Sequence, residues 1–392
     1  MRSAAPHRKI RVIVAEDSAV MRKVITTALE RHSEIEVVNV AVNGLQAVEA
    51  ITVYKPDVVT LDIDMPEMDG ISALKAIRKI DAKLPVIMFS SHTQEGEQMA
   101  VTALTAGAND YVGKPGASAG SVGAFKVLEE QLIPKIIGFG RRHQARATLA
   151  SSSAPPSTLA SNVQPPASQE GAAESRSSPI LSETRRVDSG RQIIRHPARA
   201  VCIGVSTGGP VALMQIFSQL KAPLSVPVFI VQHMPSSFTT SLAARLSTSG
   251  PMKVIEPRDG DIGLPGVAYM APGGLHMVLS KKGTKTHIHL TEDPPENSCR
   301  PAADVLFRSA AEVYGKDLLA VVLTGMGYDG LKGCEVIHAR GGQVVAQDEQ
   351  TSVIWGMPGA VVQNNLADVV LPIDRIADEI VFRTRKVPAV GR

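Results

Sequence analysis

Between Lys9 and Ile137, five short apolar runs alternate with longer stretches whose apolar residues recur every three to four positions. The runs are IRVIVAE, IEVVNVA, DVVTLD, PVIMFS and DYVGK. Strict strand–helix alternation predicts a parallel sheet with right-handed crossovers and helices on both faces. The pattern returns from about Ala198 to Lys386, in AVCIGVS, VPVFIVQHM, MKVIEP, VAYMAP, HIHLTE, LLAVVLTG, QVVAQD and ADVVLP. Helical candidates there fall near 210–220, 237–246, 301–314 and 329–339. Hydrophobic residues make up 44% of the chain and aromatics only 4%, so both cores must be aliphatic, as suits Val/Ile-rich parallel strands. The expected fold class is α/β with two doubly wound domains. The first, over 9–138, has a five-stranded parallel sheet; the second, over 198–386, has a mainly parallel one.

Residues 139–197 break the pattern. The stretch ATLASSSAPPSTLASNVQPPASQEGAAESRSSP has few large apolar side chains and no aromatic one. It cannot bury enough surface to offset its ordering entropy and reads as a flexible linker, with a root-mean-square span of about 40 Å. The formal charge of +3 is concentrated there, since Arg141 to Arg195 holds eight arginines against four acids. Neither folded block therefore carries the dense positive face that a nucleic-acid partner needs. The three cysteines, Cys202, Cys299 and Cys334, match no metal-ligand spacing, which suits a reduced, cytoplasmic setting. No segment offers 18 uninterrupted apolar residues and no secretory pattern opens the chain, so a membrane-embedded protein is not expected.

In the first block the carboxylates fall at strand ends. Glu16 and Asp17 close the first run, and Asp62 closes the third in VVTLDIDMPEMDG. Carboxyl ends of parallel strands line the ligand crevice, so these acids should converge, and their mutual repulsion calls for a hard cation. Ser90 and Lys114 end the fourth and fifth runs and reach the same rim. Taken singly, each acid reads as readily as a group that caps a helix or faces solvent as it does as part of a site. Together with KP and MPEMDG, the set resembles the receiver domain of bacterial two-component response regulators. That resemblance implies Asp62 as phosphoacceptor, with Mg²⁺ held by Glu16, Asp17, Asp62 and the backbone carbonyl of Asp64. It further implies Ser90 and Lys114 on the phosphoryl group and Tyr111 as the aromatic switch. The Gly/Ser-rich segment PGASAGSVGAF after Lys114 reads as a mobile loop.

In the second block AVCIGVSTGGP places Ser206 in a G-x-S-x-G pattern after a strand and before a helical segment. A tight turn there exposes a serine hydroxyl, but a structural turn fits equally. The segment is neither a dinucleotide fingerprint nor a Walker loop. A nucleophilic serine needs a base and an orienting acid. His233 ends the next strand and Asp329 lies in LLAVVLTGMGYDG, both at carboxyl ends. Alone, His233 reads as a hydrogen-bonded surface residue and Asp329 as the N-cap of the following helix. The order Ser, His, Asp departs from that of α/β-hydrolases.

IGVSTGGP, QHMP, APGGLHM and LTGMGYDG in this order resemble the catalytic domain of the protein-glutamate methylesterases of bacterial chemotaxis. The resemblance covers nearly the whole chain outside the linker. It implies Ser206 as nucleophile, His233 as general base and then acid, and Asp329 as the group fixing its tautomer. The backbone N–H groups of Thr207 and Met326 would form the oxyanion hole, and His276 would line the site or serve the structure. It also implies a phosphorylation-controlled hydrolase that demethylates glutamate methyl esters and deamidates glutamines on methyl-accepting chemoreceptors. The phosphodonor would be a histidine kinase, and the esterase step would need no cofactor. A DNA-binding response regulator would instead end in a basic helix-turn-helix of about 60–100 residues. A scaffold module would leave the three residues without chemistry.

Overall fold

The strands of the first block are β1 (Ile10–Ala15), β2 (Ile35–Ala41), β3 (Val58–Asp62), β4 (Val86–Ser90) and β5 (Asp110–Gly113). They form one parallel sheet in the order β2-β1-β3-β4-β5. This is the computed structural model of the chain, describing residues 8–91, 93–114, 120–152 and 197–385. The crossovers are α1 (Ala19–Glu30), α2 (Gly44–Tyr54), α3 (Gly70–Ile80) and α4 (Gln94–Thr105). Their starts follow local chemistry: Ser18, Asn43, Asp69 and Thr93 each accept a backbone N–H from the first turn. The central strands β3 and β4 are buried along their whole length, as expected where helices cover both faces.

Two helical segments depart from the composition. α5 (Gly120–Val127) forms within the Gly/Ser-rich stretch, because Phe125 packs on the core and Leu128 beyond it is fully buried. Burial outweighs the weak helix propensity of that segment. α6 (Ile133–Ser152) then carries helix into residues 139–152, assigned by composition to the linker. Phe139 is buried in the core, Gly140 lies against Ile10, and Gln144 donates to Asp57 at 2.8 Å. One aromatic, Phe139, and the small and polar Gly140 and Gln144 make these contacts, and the Ala/Ser/Pro-rich composition downstream hid them. The remainder of the expected linker, 153–196, and residues 115–119 lie outside the described residues.

The second block is built on β6 (Ala200–Val205), β7 (Val228–Gln232), β8 (Lys253–Ile255), β9 (Val267–Met270), β12 (Leu318–Val322), β13 (Gln343–Gln347) and β14 (Val369–Leu371). They form a seven-stranded parallel sheet in the order β14-β13-β12-β6-β7-β9-β8. The HIHLTE run lies outside that sheet. It forms β11 (Lys285–Thr291) in an antiparallel hairpin with β10 (His276–Lys282). Its alternation explains this, since Ile288 is fully buried while His287 and His289 are not. The helices are α7 (Gly209–Gln219), α8 (Ser236–Ser249), α9 (Ala303–Tyr314), α10 (Leu331–Ala339), α11 (Met357–Gln363) and α12 (Ile373–Thr384).

The two blocks share packing. The apolar cluster on one face of the first sheet, with Val101, Leu104 and Tyr111, continues into Leu213 and Phe238 of the second block. The Tyr111 and Phe238 rings stack with centroids 4.1 Å apart. Arg142 of α6 donates to the Gln350 carbonyl at 3.0 Å. A cleft of about 590 Å³ between the blocks is lined by Ala28, His32, Ile137, Met326 and Ile354.

Candidate functional site

Two clusters sit at carboxyl edges of the sheets. In the first, Lys114 Nζ lies 2.5 Å from Asp62 and 3.2 Å from Glu16. Glu16 and Asp62 are buried, whereas Asp17 and Asp64 are exposed. Ligand oxygens of Glu16, Asp17 and Asp62 lie within 4.8 Å of one another, a donor set of the hard, anionic kind a divalent cation takes. Burial, with Asp62 beside it, raises Glu16 to about 7, and burial also raises Asp62 despite its bond to Lys114. One ammonium does not offset the crowded carboxylates. Ser90 ends β4 at the same rim, and its hydroxyl donates to the Gly96 carbonyl at 2.6 Å. Tyr111 faces the other block rather than solvent.

In the second cluster, strand register does the first part of the work. Val205 of β6 pairs with Gln232 of β7, so Ser206 and His233 leave adjacent strands at the same level. His233 N–H donates to the Val205 carbonyl, and Ser206 N–H to the Thr324 carbonyl at 3.0 Å. The latter bond ties the turn after β6 to the turn after β12. Gly208 takes a left-handed conformation, φ 78°, where the chain reverses into α7. At Gly325 a Cβ would meet Met357 Sδ at 2.3 Å and the Ser206 Cβ at 2.9 Å, so a side chain there would displace the serine.

His233 Nε2 and Asp329 Oδ2 are 2.7 Å apart. Asp329 does not cap α10, whose N-cap is Gly330. Its carboxylate instead accepts the N–H groups of Ala303 at 2.6 Å and Asp304 at 3.1 Å, at the start of α9, and Asn297 Nδ2 at 2.8 Å. Burial alone would raise Asp329; the bonds from His233 and the α9 amides outweigh it and lower its pKa. Burial alone would likewise lower His233, but its bonds to Asp329 and Cys299 raise it to about 9.

Among the described residues, Ser206 Oγ makes no hydrogen bond to His233. The second imidazole nitrogen, Nδ1, faces Cys299 Sγ at 3.5 Å. The amides of Thr207 and Met326 are engaged by no other group among the described residues; Thr207 is buried and Met326 is 42% exposed. His276 is fully occupied by backbone, with Nδ1 accepting Ala302 N–H and Nε2 donating to the Pro294 carbonyl, both at 3.2 Å. Its use is structural, since it fixes the segment leading to α9. Sequence reasoning missed Asn297, Cys299 and Gln232, whose Nε2 holds the Ser206 carbonyl at 3.1 Å. No spacing rule connects Cys299 to His233, 66 positions away. Only the polar, proline-rich PPENSC run marks a turn there.

Residues 201–380 match the CheB methylesterase family, and residues 12–121 match the response regulator receiver domain. The protein-glutamate methylesterase/protein-glutamine glutaminase of Trichodesmium erythraeum (strain IMS101) is 43% identical over 375 residues, covering 96% of this chain and 99% of that protein. That of Nocardioides sp. (strain ATCC BAA-499 / JS614) is 44% identical over 380 residues, covering 95% of each. Among solved structures, the Thermotoga maritima CheB methylesterase catalytic domain is 40% identical, covering 47% of this chain and 98% of its own, with a TM-score of 0.46.

Proposed function

The chain belongs to the CheB methylesterases that carry a receiver domain, and on that premise we propose that Ser206, His233 and Asp329 perform the hydrolysis. Ser206 Oγ attacks the γ-carbonyl of a glutamyl methyl ester on a chemoreceptor. With Nε2–H directed to Asp329, the lone pair that takes the serine proton is on His233 Nδ1. The oxyanion that forms is met by the N–H groups of Thr207 and Met326. The same imidazole returns its proton to the departing methoxide, releasing methanol and leaving a glutamyl ester on Ser206. Water, deprotonated at Nδ1, then frees the glutamate and restores the serine. With ammonia as leaving group, the same sequence deamidates a glutamine. The observation that carries this reading is the buried 2.7 Å His233–Asp329 bond at the sheet edge where register sets Ser206. The test is methanol release from methylated receptor, together with labelling by a fluorophosphonate serine probe. Both are expected to vanish in Ser206→Ala; retained turnover would remove Ser206 from the mechanism.

In the receiver, Asp62 is the phosphoacceptor and a histidine kinase the donor. Mg²⁺ fits the acidic donor set, with Glu16, Asp17, Asp62 and the Asp64 carbonyl as its holders. When bound, it supplies charge neutralisation between carboxylates and phosphoryl oxygens. Lys114 lies within ion-pair distance of the acceptor carboxylate, and Ser90 would exchange its Gly96 bond for the phosphoryl group. Phosphorylation places a phosphoryl group of about −1.5 to −2 charges beside these groups, in exchange for the single charge of the Asp62 carboxylate. The change reaches the esterase through Tyr111, stacked on Phe238, and through the cleft that Met326 lines. Moving the domains from mostly docked to mostly released takes roughly 5 kcal/mol of differential stabilisation. The receiver runs from 9 and is extended by α6 to 152, the esterase domain spans 198–386, and the enzyme works in the cytoplasm, where the receptors' signalling segments and the kinase lie. Among the described residues no helix is long and apolar enough to cross a membrane.

A further inference from the structure

One contact of the site takes no part in the proposed hydrolysis, namely the approach of Cys299 Sγ to Nδ1 of His233, at 3.5 Å. The thiol is delivered by a tight turn. Glu296 and Cys299 exchange both backbone hydrogen bonds, at 3.1 and 2.9 Å, while Asn297 and Ser298 between them take φ of 52° and 62°. Two successive left-handed residues define the hairpin turn that reverses a chain in the fewest steps. Three anchors hold this turn. Both terminal guanidinium nitrogens of Arg308 donate to Glu296, at 2.7 and 2.5 Å. Asn297 Nδ2 bridges Asp304 and Asp329, at 2.8 Å each. Arg300 donates to the Glu292 carbonyl at 2.7 Å. The sulfur is therefore set against the imidazole by the fold.

Nε2 is committed to Asp329, so Nδ1 is the nitrogen left for proton transfer. A thiol is both a weak donor and a weak acceptor. Cys299 can donate S–H to the neutral ring or accept N–H from the charged one, and the second contact is the stronger because its donor carries charge. We infer that Cys299 is a positioning residue for the esterase reaction: its sulfur holds the Nδ1 edge of His233 in line with Asp329, and it is the partner that Ser206 replaces at the moment of attack. This rests on the reading of His233 as the base. The titratable groups acting on the ring are Asp329, from the turn after β12, and Cys299; Asp304 and the Glu296–Arg308 pair stand behind them. Both direct contacts favour the protonated ring, so losing the sulfur lowers the pH at which the base becomes available.

The experiment is the pH profile of kcat/KM for methanol release from methylated receptor, with the full chain, for wild type, Cys299→Ala and Cys299→Ser. Cys299→Ala is expected to move the acidic midpoint down by about half a pH unit or more. Cys299→Ser keeps a hydroxyl on Nδ1 and is expected to fall between the two. A side chain that only fills space would lower the plateau and leave the midpoint in place, and that result overturns the inference. NMR titration of His233 in Ser206→Ala, with and without Cys299→Ala or Cys299→Ser, asks the same question without turnover. An unchanged His233 midpoint there rejects the role of Cys299. A shifted midpoint alongside turnover retained by Ser206→Ala rejects the nucleophile instead.

Discussion

The two sheet edges of this chain use carboxylates in opposite ways. Asp329 is surrounded by donors, namely an imidazole, two helix N-terminal amides and an asparagine, and its pKa falls. Asp62 and Glu16 share one lysine, and both are raised. Burial alone therefore does not determine how a carboxylate titrates; the donors it accepts and the like charges beside it enter as well. At the esterase edge Asp329 finds its donors within the chain itself. At the receiver edge the acids are left short of positive charge, a deficit that the proposed cation would make up.

The strongest challenge to this contrast is removal of the hydroxyl proposed as the nucleophile. Ser206→Ala is expected to cut methanol release by about 10⁶-fold while acetyl phosphate still phosphorylates Asp62. Loss of both activities together would mean the edges are not chemically independent. Next in size is Asp329→Asn, expected to lower kcat about 10⁴-fold by removing the charge that stabilises the imidazolium while keeping an acceptor for the α9 amides. Circular dichroism and the urea midpoint check that the fold survives. A smaller effect tests the link between the edges. An offset aromatic pair contributes about 0.5–1.5 kcal/mol beyond its buried area. Phe238→Ala is therefore expected to raise the activity of the unphosphorylated enzyme roughly two- to tenfold. Unchanged basal activity would leave the Tyr111–Phe238 stack without a regulatory part. The smallest is a stability effect of pH. His233 is raised from 6.5 to about 9, so its stabilising contribution is complete below 6.5 and declines as pH rises through 9. The urea midpoint is expected to drop between about pH 6 and about pH 9.5, and to drop less in His233→Gln. An equal drop in both would show that this pair does not govern the slope.

Much of this was legible in the sequence because both sites lie where strands end. Apolar runs located Asp62, Ser90, Ser206 and His233, and parallel register fixes which ends are neighbours. What was hidden arises from contacts between distant, locally unremarkable segments. Cys299 looks like an unpaired thiol in a polar run until the Asn297–Ser298 turn brings it to His233. Asp329 looks like a cap for the helix that follows it, yet it receives the N-terminus of another helix. Residues 139–152 carry the linker's composition but are helical, because Phe139 and Gln144 find partners on β1 and on Asp57 before β3.

Asp329 also ties reactivity to architecture. The oxygen that orients the imidazole also receives the first N–H of α9, so the acid serves as a keystone between two helices as well as a member of the site. An inactive descendant of this enzyme could discard Ser206 at little structural expense, whereas discarding Asp329 would leave a helix end open in the interior. Pseudoenzymes built on this scaffold should thus retain the acid long after the hydroxyl has gone.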